Sequence, residues 1–292
     1  MSINIIKGDV MSDGFGITEF NQIGGFMKRI MWALLSVMLV FTMSTTAVAE
    51  DVLDTIMKRG TLIVGLEAGY MPFEMRDKKG NIIGFDVDMT TAMAKAMGVK
   101  VEYVNTNWDG IIGALTTNKF DIIASGMTIT QGRNLRVNFS SPYITVGQTV
   151  LLSNKLAKKI KSYKQLNNPK YTVASKLGTT GEQAVKRMIP RAKYLAYETE
   201  QDGTMELING RVDAFVYDLP FNAIMAGSKG KGKIVHLDKP FTFEPLGWAI
   251  RRDDPNFLNW LNNFMYQIRN DGTYDQIYAK WFKNTDWLKE VQ

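Results

Sequence analysis

The sequence predicts an α/β protein of two lobes, each a mostly parallel sheet with flanking helices, joined by two extended hinge strands. Three observations predict it. Short apolar, β-rich runs alternate with segments of helical period, in two successive sets. Each set is followed by an extended stretch that belongs to neither. Helical sequence then resumes, so the chain crosses between lobes twice and ends on the first. Helices that separate short apolar strands cover a parallel sheet on both faces, which is why such strands are apolar throughout.

The first set opens with the buried strand TLIVGL at 61–66. Within 88–97, Met89, Ala92, Met93, Ala96 and Met97 fall on one helical stripe, and Gly98 stops the helix. Residues 99–104 alternate as a strand, 109–118 read as a helix and 120–124 as a buried strand. The second set runs strand 171–175, helix 181–188 ended by Pro190, strand 193–197, helix 203–209, strand 212–217 and helix 221–226. The extended stretches are PYITVGQTVLLS at 142–153 and FTFEPLGWAIR at 241–251, and 257–282 is helical. These runs place the first lobe at 50–142 and 248–292, the second at 148–242, and the hinge at 143–147 and 243–247.

Residues before 50 are of a different kind. Met27-Lys28-Arg29 begins a basic region, 30–43 is almost unbrokenly apolar, and Ala47-Val48-Ala49 is a small-residue cleavage site. That layout is a secretory signal peptide at 27–49, too short for a membrane span. Residues 1–26 precede its start and read as a misassigned N-terminal extension. The expected mature chain is exported and soluble. Without cysteine it has no lipid attachment point at its N-terminus, which suggests a free periplasmic protein of a cell with an outer membrane.

The 292 residues are 45% hydrophobic and 22% charged, which is globular and excludes a disordered or disulfide-stapled chain. The absence of cysteine excludes thiolate metal sites and catalytic thiols. With His236 as the one histidine, a Ser-His-Asp triad or multi-histidine zinc site has little material. No metal or cofactor is expected. The net charge of +6 concentrates in lysines at 155–164 and 229–233, beside polar and turn residues. They are expected to be solvated surface, with no nucleic acid as partner.

Open α/β sheets place ligands outside the carboxyl ends of their strands, so polar residues there are the candidates. Ser125-Gly126-Met127-Thr128 follows one predicted strand, and Arg133 offers a planar fork matched to a carboxylate. Gly178-Thr179-Thr180-Gly181 follows a strand and opens a helix, an anion-friendly terminus. Asp218 ends a strand of the second set and could meet an ammonium. Arg133 from one lobe and Asp218 from the other would clamp a zwitterion. Tyr70 and Trp108 also follow strand ends and could sandwich a ligand's apolar stem.

Across 51–287 the chain resembles the periplasmic amino-acid-binding proteins of ABC importers, bacterial extracellular solute-binding family 3. The most specific match is Gly84-Phe85-Asp86-Val87-Asp88-Met89, followed by Met93-Ala94 and Met97. Further matches are Tyr70-Met71-Pro72-Phe73, Trp108-Asp109-Gly110, Ser125-Gly126-Met127-Thr128 with Arg133, Phe139-Ser140-Ser141-Pro142-Tyr143, Asp213-Ala214-Phe215 and Asp271-Gly272-Thr273-Tyr274. The resemblance implies a type II periplasmic-binding-protein fold. By position it implies that Arg133, Thr128 and Thr180 hold the α-carboxylate, while Asp218 and the Gly126 carbonyl hold the α-ammonium. Tyr70 and Trp108 would flank the side-chain stem, and Glu67 would read its far end. In the signature, Gly84 is expected to turn the chain and Asp86 or Asp88 to cap the following helix.

The expected function is therefore binding of a polar, cationic amino acid and its delivery to the permease of an ABC importer, by a monomer that closes on its hinge. Arginine or lysine is favoured because Glu67 follows an apolar strand, where an unpaired charge would be costly. Glutamine and histidine come next. The alternative is a cyclohexadienyl dehydratase-like enzyme on the same fold, whose anionic substrate Glu67 would repel. A receptor's sensory domain would need a span and a cytoplasmic module that the sequence does not show.

Overall fold

The computed structural model describes residues 51–291, together with Arg29 and Met31. The expected signal peptide and the extension before it otherwise lie outside the described residues. No described helix is long and apolar enough to cross a membrane. The elements in chain order begin with helix α1 (Val52–Arg59), strand β1 (Thr61–Leu66), the hairpin β2 (Met75–Arg76) and β3 (Ile82–Ile83), helix α2 (Phe85–Met97) and strand β4 (Lys100–Asn105). Next come α3 (Ile111–Thr116), β5 (Ile122–Ile123), α4 (Gln131–Asn134), β6 (Asn138–Phe139), β7 (Ile144–Val146) and β8 (Gln148–Ser153). Then follow β9 (Thr172–Lys176), α5 (Thr180–Met188), β10 (Lys193–Tyr197), α6 (Glu200–Ile208), β11 (Ala214–Asp218), α7 (Leu219–Gly227) and β12 (Ile234–Leu237). The chain closes with β13 (Glu244–Leu246), β14 (Ala249–Ile250), α8 (Pro255–Asn270), α9 (Thr273–Tyr278) and α10 (Leu288–Val291).

Two five-stranded sheets result, in the orders β4-β1-β5-β14-β6 and β10-β9-β11-β8-β12. In the first, β1 pairs in parallel with β4 and β5, and β14 alone runs against its neighbours. In the second, β9 pairs in parallel with β10 and β11, and β8 alone is reversed. The reversed strands have one cause. Each is the continuation of a crossing segment: β7 leads into β8 and β13 into β14, and β7 and β13 pair antiparallel with each other. The crossings expected from the sequence are thus one two-stranded ribbon that feeds one reversed strand into each sheet.

Helix α2 shows why the stripe works. Phe85, Met89, Met93 and Met97 recur every four residues, and all are buried. The helix ends at Gly98, whose N–H reaches back to the Ala94 carbonyl. Gly84 has φ 148°, and a Cβ there would lie 2.1 Å from the Phe73 carbonyl oxygen, so it turns the chain as expected.

The expected capping role of the signature acids is not what the structure shows. The N-cap is Gly84, without a side-chain cap. Asp86 is fully buried and accepts hydrogen bonds from the Gly126 N–H (2.9 Å), the Tyr143 hydroxyl (2.9 Å) and the Trp248 indole (3.3 Å). Asp88 instead binds Lys280 and the Trp281 indole of the C-terminal region, each at 2.7 Å. Both acids lie inside the helix, beyond the N-cap position, so neither can cap it, and each binds donors on other elements.

The lysines at 155–164 and 229–233 are exposed. Tyr163 within the first run stacks on Phe241, with ring centroids 4.3 Å apart. His236 is bonded to the Thr149 hydroxyl at 2.9 Å, a structural role.

Candidate functional site

The carboxyl ends of the parallel strands of both sheets converge on one cleft. From the first sheet come Tyr70 after β1, Trp108 after β4, and Gly126, Thr128 and Arg133 after β5. From the second come Thr179 and Thr180 after β9, and Tyr217 and Asp218 at the end of β11. Gln148, at the start of the reversed strand β8, faces Asp218 in register. Among the residues expected from the sequence, Tyr70, Trp108, Gly126, Thr128, Arg133, Thr180 and Asp218 line this one cavity. Glu67 does not. It lines a neighbouring pocket with Asn107, Leu177, Glu198 and Thr199, and Trp108 is the wall common to both.

The cleft is closed. Its cavity volume is about 10 Å³, room for no more than one water. Residues of the two sheets bond directly across it. The Tyr70 hydroxyl donates to Asp218. The Trp108 indole donates to the Gly178 carbonyl at 3.1 Å, and the Thr128 and Thr180 hydroxyls are 3.4 Å apart. Arg133 donates to the Thr128 carbonyl at 2.9 Å and the Gly178 carbonyl at 3.3 Å. Its guanidinium also lies 5.2 Å from the Trp108 ring centroid, a cation–π contact. Gly126 has φ 51°, and a Cβ there would stand 2.3 Å from the Tyr70 ring. Glycine therefore lets this aromatic wall lie directly on the backbone.

The charges are tuned by burial. Asp218 is pushed up from 3.8 to about 7 by desolvation, against the opposing hydrogen bond from Tyr70. Gln148 also donates to it, at 2.5 Å. Burial lowers the pKa of Arg133. Tyr70 is raised by burial and by Asp218 beside it.

A second layer holds the loop of Ser125 and Gly126. Ser125 donates to the buried Glu74 at 2.7 Å and accepts from the Glu67 N–H at 3.1 Å. Burial and then Asp86 raise Glu74 well above the usual carboxylate range, and burial raises Asp86 to about 6. This layer ties that loop to Tyr143 and Trp248, which flank the two crossings.

Sequence reasoning missed Lys176 and Glu200. The Lys176 ammonium bridges Glu67 and Glu200, the latter at 2.7 Å, so it spans from β9 of the second sheet to the residue after β1 of the first. Burial opposes its charge, but Glu200 and Glu67 outweigh it and raise its pKa. The signal was the strand boundary. Strand β9 includes Lys176, one residue beyond the expected strand, which makes it a strand end like Asp218. Gln148 was legible only as a polar residue at the head of an apolar strand.

No group of described residues could hold a metal ion. The arrangement offers an anion site at Arg133, a cation site at Asp218, aromatic walls between them and an acidic pair beyond Trp108. That set is complementary to a zwitterion with a side chain.

Residues 62–284 match the family described as bacterial extracellular solute-binding proteins, family 3. A probable histidine-binding protein of Neisseria gonorrhoeae is 36% identical over 225 residues, covering 75% of this chain and 82% of the relative. A crystal structure of a putative binding component of an ABC transporter from Wolinella succinogenes, complexed with lysine, is 57% identical, with TM-score 0.77, covering 79% of this chain and 99% of that one. An ancestral amino acid-binding protein, a precursor of cyclohexadienyl dehydratase, is 51% identical, with TM-score 0.75, covering 80% of this chain and 100% of that one.

Proposed function

Because the chain belongs to the bacterial extracellular solute-binding proteins, family 3, we propose that it is the periplasmic amino-acid receptor of an ABC importer, selective for cationic side chains. The observation that carries this is the pairing of Arg133 and Asp218 across one cleft, on different sheets. A zwitterion satisfies both at once, and each half is worth more because the site is dry. Thr128 and Thr180 add hydroxyls beside Arg133, and the Gly126 carbonyl adds an acceptor near Asp218. Tyr70 and Trp108 flank the stem. Glu67, beyond Trp108, reads the end of the side chain.

A cavity of about 10 Å³ admits no amino acid, so entry requires the sheets to part. The ribbon of β7 and β13 is the hinge, with residues 50–142 and 248–292 as one lobe and 148–242 as the other. Binding rather than dehydration is favoured because the far end of the site is acidic, which would repel the anionic ring of a dehydratase substrate. The lysine complex of the Wolinella succinogenes relative and the histidine-binding name of the Neisseria gonorrhoeae relative support the ligand class.

Competitive binding of arginine, lysine, glutamine and glutamate tests the reading, repeated on Glu67→Gln. The cationic pair should win in the native protein and lose its lead in the variant. A preference for glutamate, or a cationic preference untouched by Glu67→Gln, would sink it.

A further inference from the structure

The geometry points to Lys176 as a specificity-determining residue: an internal cation that competes with the ligand's side-chain cation for Glu67. The inference rests on the reading of the cleft as a receptor for cationic amino acids.

Lys176 is the last residue of β9, and its side chain is 2% exposed. Its ammonium lies 5.8 Å from the centroid of Trp108, the ring that also carries the Arg133 guanidinium. The resident cation and the carboxylate anchor are thus one indole apart, within reach of an extended ligand side chain. Lys176 stands at the far end of the site that a ligand held by Arg133 and Asp218 would enter.

The charge count is uneven. Two carboxylates, Glu67 and Glu200, share one ammonium. One negative charge stays uncompensated in a dry region, which is costly. Glu200 Oε1 is buried with no hydrogen-bond partner among the described residues. Burial raises the pKa of Glu67 even with Lys176 beside it. A ligand that brings one more cation balances the group, whereas an amide leaves the deficit and an acid doubles it.

The two carboxylates are not equivalent. Glu200 is 1% exposed and sits in the first turn of α6, whose dipole supports its charge. Glu67 is 17% exposed and opens on the pocket beside Trp108. An incoming cation can reach Glu67 and cannot reach Glu200. The ligand therefore takes Glu67, and Lys176 stays with Glu200, one cation to each carboxylate. Until then Lys176 joins the two sheets across the cleft. The ligand must break that bond, so Lys176 holds down affinity for the ligands the acidic pair attracts.

The test is calorimetric titration of lysine, arginine and glutamine into the native protein and the double variant Lys176→Met/Glu200→Gln. The double variant keeps the net charge of the group while removing the competitor. Lysine and arginine should bind about 10-fold or more tighter, the scale of one charge-assisted hydrogen bond, while glutamine changes by less than about 3-fold. Should that variant fail to fold, Lys176→Gln/Glu200→Gln keeps the net charge and an amide hydrogen bond between the two positions, and is read the same way. An equal gain for all three ligands, or no gain for the cationic pair, overturns the inference while leaving the receptor reading standing. A native protein that binds neither lysine nor arginine overturns both.

Discussion

Lowering the pH from 7 to 5 should weaken amino-acid binding about 50-fold, and Asp218 is the reason. Its carboxyl is buried and raised from 3.8 to about 7. The α-ammonium of a ligand needs the ionised form. With a pKa of about 7, roughly half of the protein is ready at pH 7, about a tenth at pH 6 and about 1% at pH 5. The ligand's own α-groups keep their charges throughout this range, so the dependence belongs to the protein. Binding at pH 6 should release nearly one proton. Calorimetry from pH 5 to 8, in two buffers of different ionisation enthalpy, reads both quantities. Asp86, raised to about 6 beneath Gly126, is the rival source. Asp218→Asn separates them: the variant should bind weakly and almost independently of pH. A dissociation constant that stays within about threefold from pH 5 to 8 would refute the reasoning, as would an undiminished pH slope in Asp218→Asn.

Arg133→Ala should weaken binding about 30-fold or more with the fold intact, since removing one partner of a buried charged pair costs roughly 2–5 kcal/mol; unchanged affinity by calorimetry would clear Arg133 of the anchoring role. Entry requires opening at β7 and β13, so small-angle scattering should show a larger radius of gyration for ligand-free Lys176→Met, which lacks the ammonium that joins the sheets, than for the lysine-bound native protein; identical curves would count against the hinge. Without ligand, the unfolding temperature should rise as pH falls from 7.5 to 5. Asp218, Asp86 and Glu74 hold protons in the folded state that the unfolded chain has already released, so their cost fades as the pH drops through their folded values. Asp218 alone accounts for roughly 2–3 kcal/mol over that window. His236, lowered by burial, opposes them, one group against three. A thermal midpoint that falls on acidification in this window would contradict the burial of those carboxyls.

Much of the fold was legible because strand and helix periods are local. Strand β1 has the bounds that TLIVGL suggests, and Gly98 ends α2 as expected. The helical region expected at 257–282 is interrupted at Asp271 and Gly272, where Gly272 takes a left-handed φ of 87°. The two-residue strands β2 and β3 are too short for any alternation to show. In the site, strand ends were legible because α/β sheets direct ligands there, and those residues, Glu67 excepted, do share a cavity. Pairings between distant residues were not. Asp86 finds Gly126 40 residues away, Tyr143 57 away and Trp248 162 away, and no local pattern encodes a donor at such range. Glu67 was recognised as a carboxylate needing a cation, but its resident partner is 109 residues on, at a strand end of the other sheet.

The most direct test is the crystal structure of the protein with lysine. The ligand α-carboxylate should lie on Arg133 in place of the Thr128 and Gly178 carbonyls that Arg133 now holds. The α-ammonium should lie on Asp218, and the stem should pass between Tyr70 and Trp108 to end at Glu67. Lysine found in another cavity, or bound in the cleft with Arg133 still on those two carbonyls, would contradict the account.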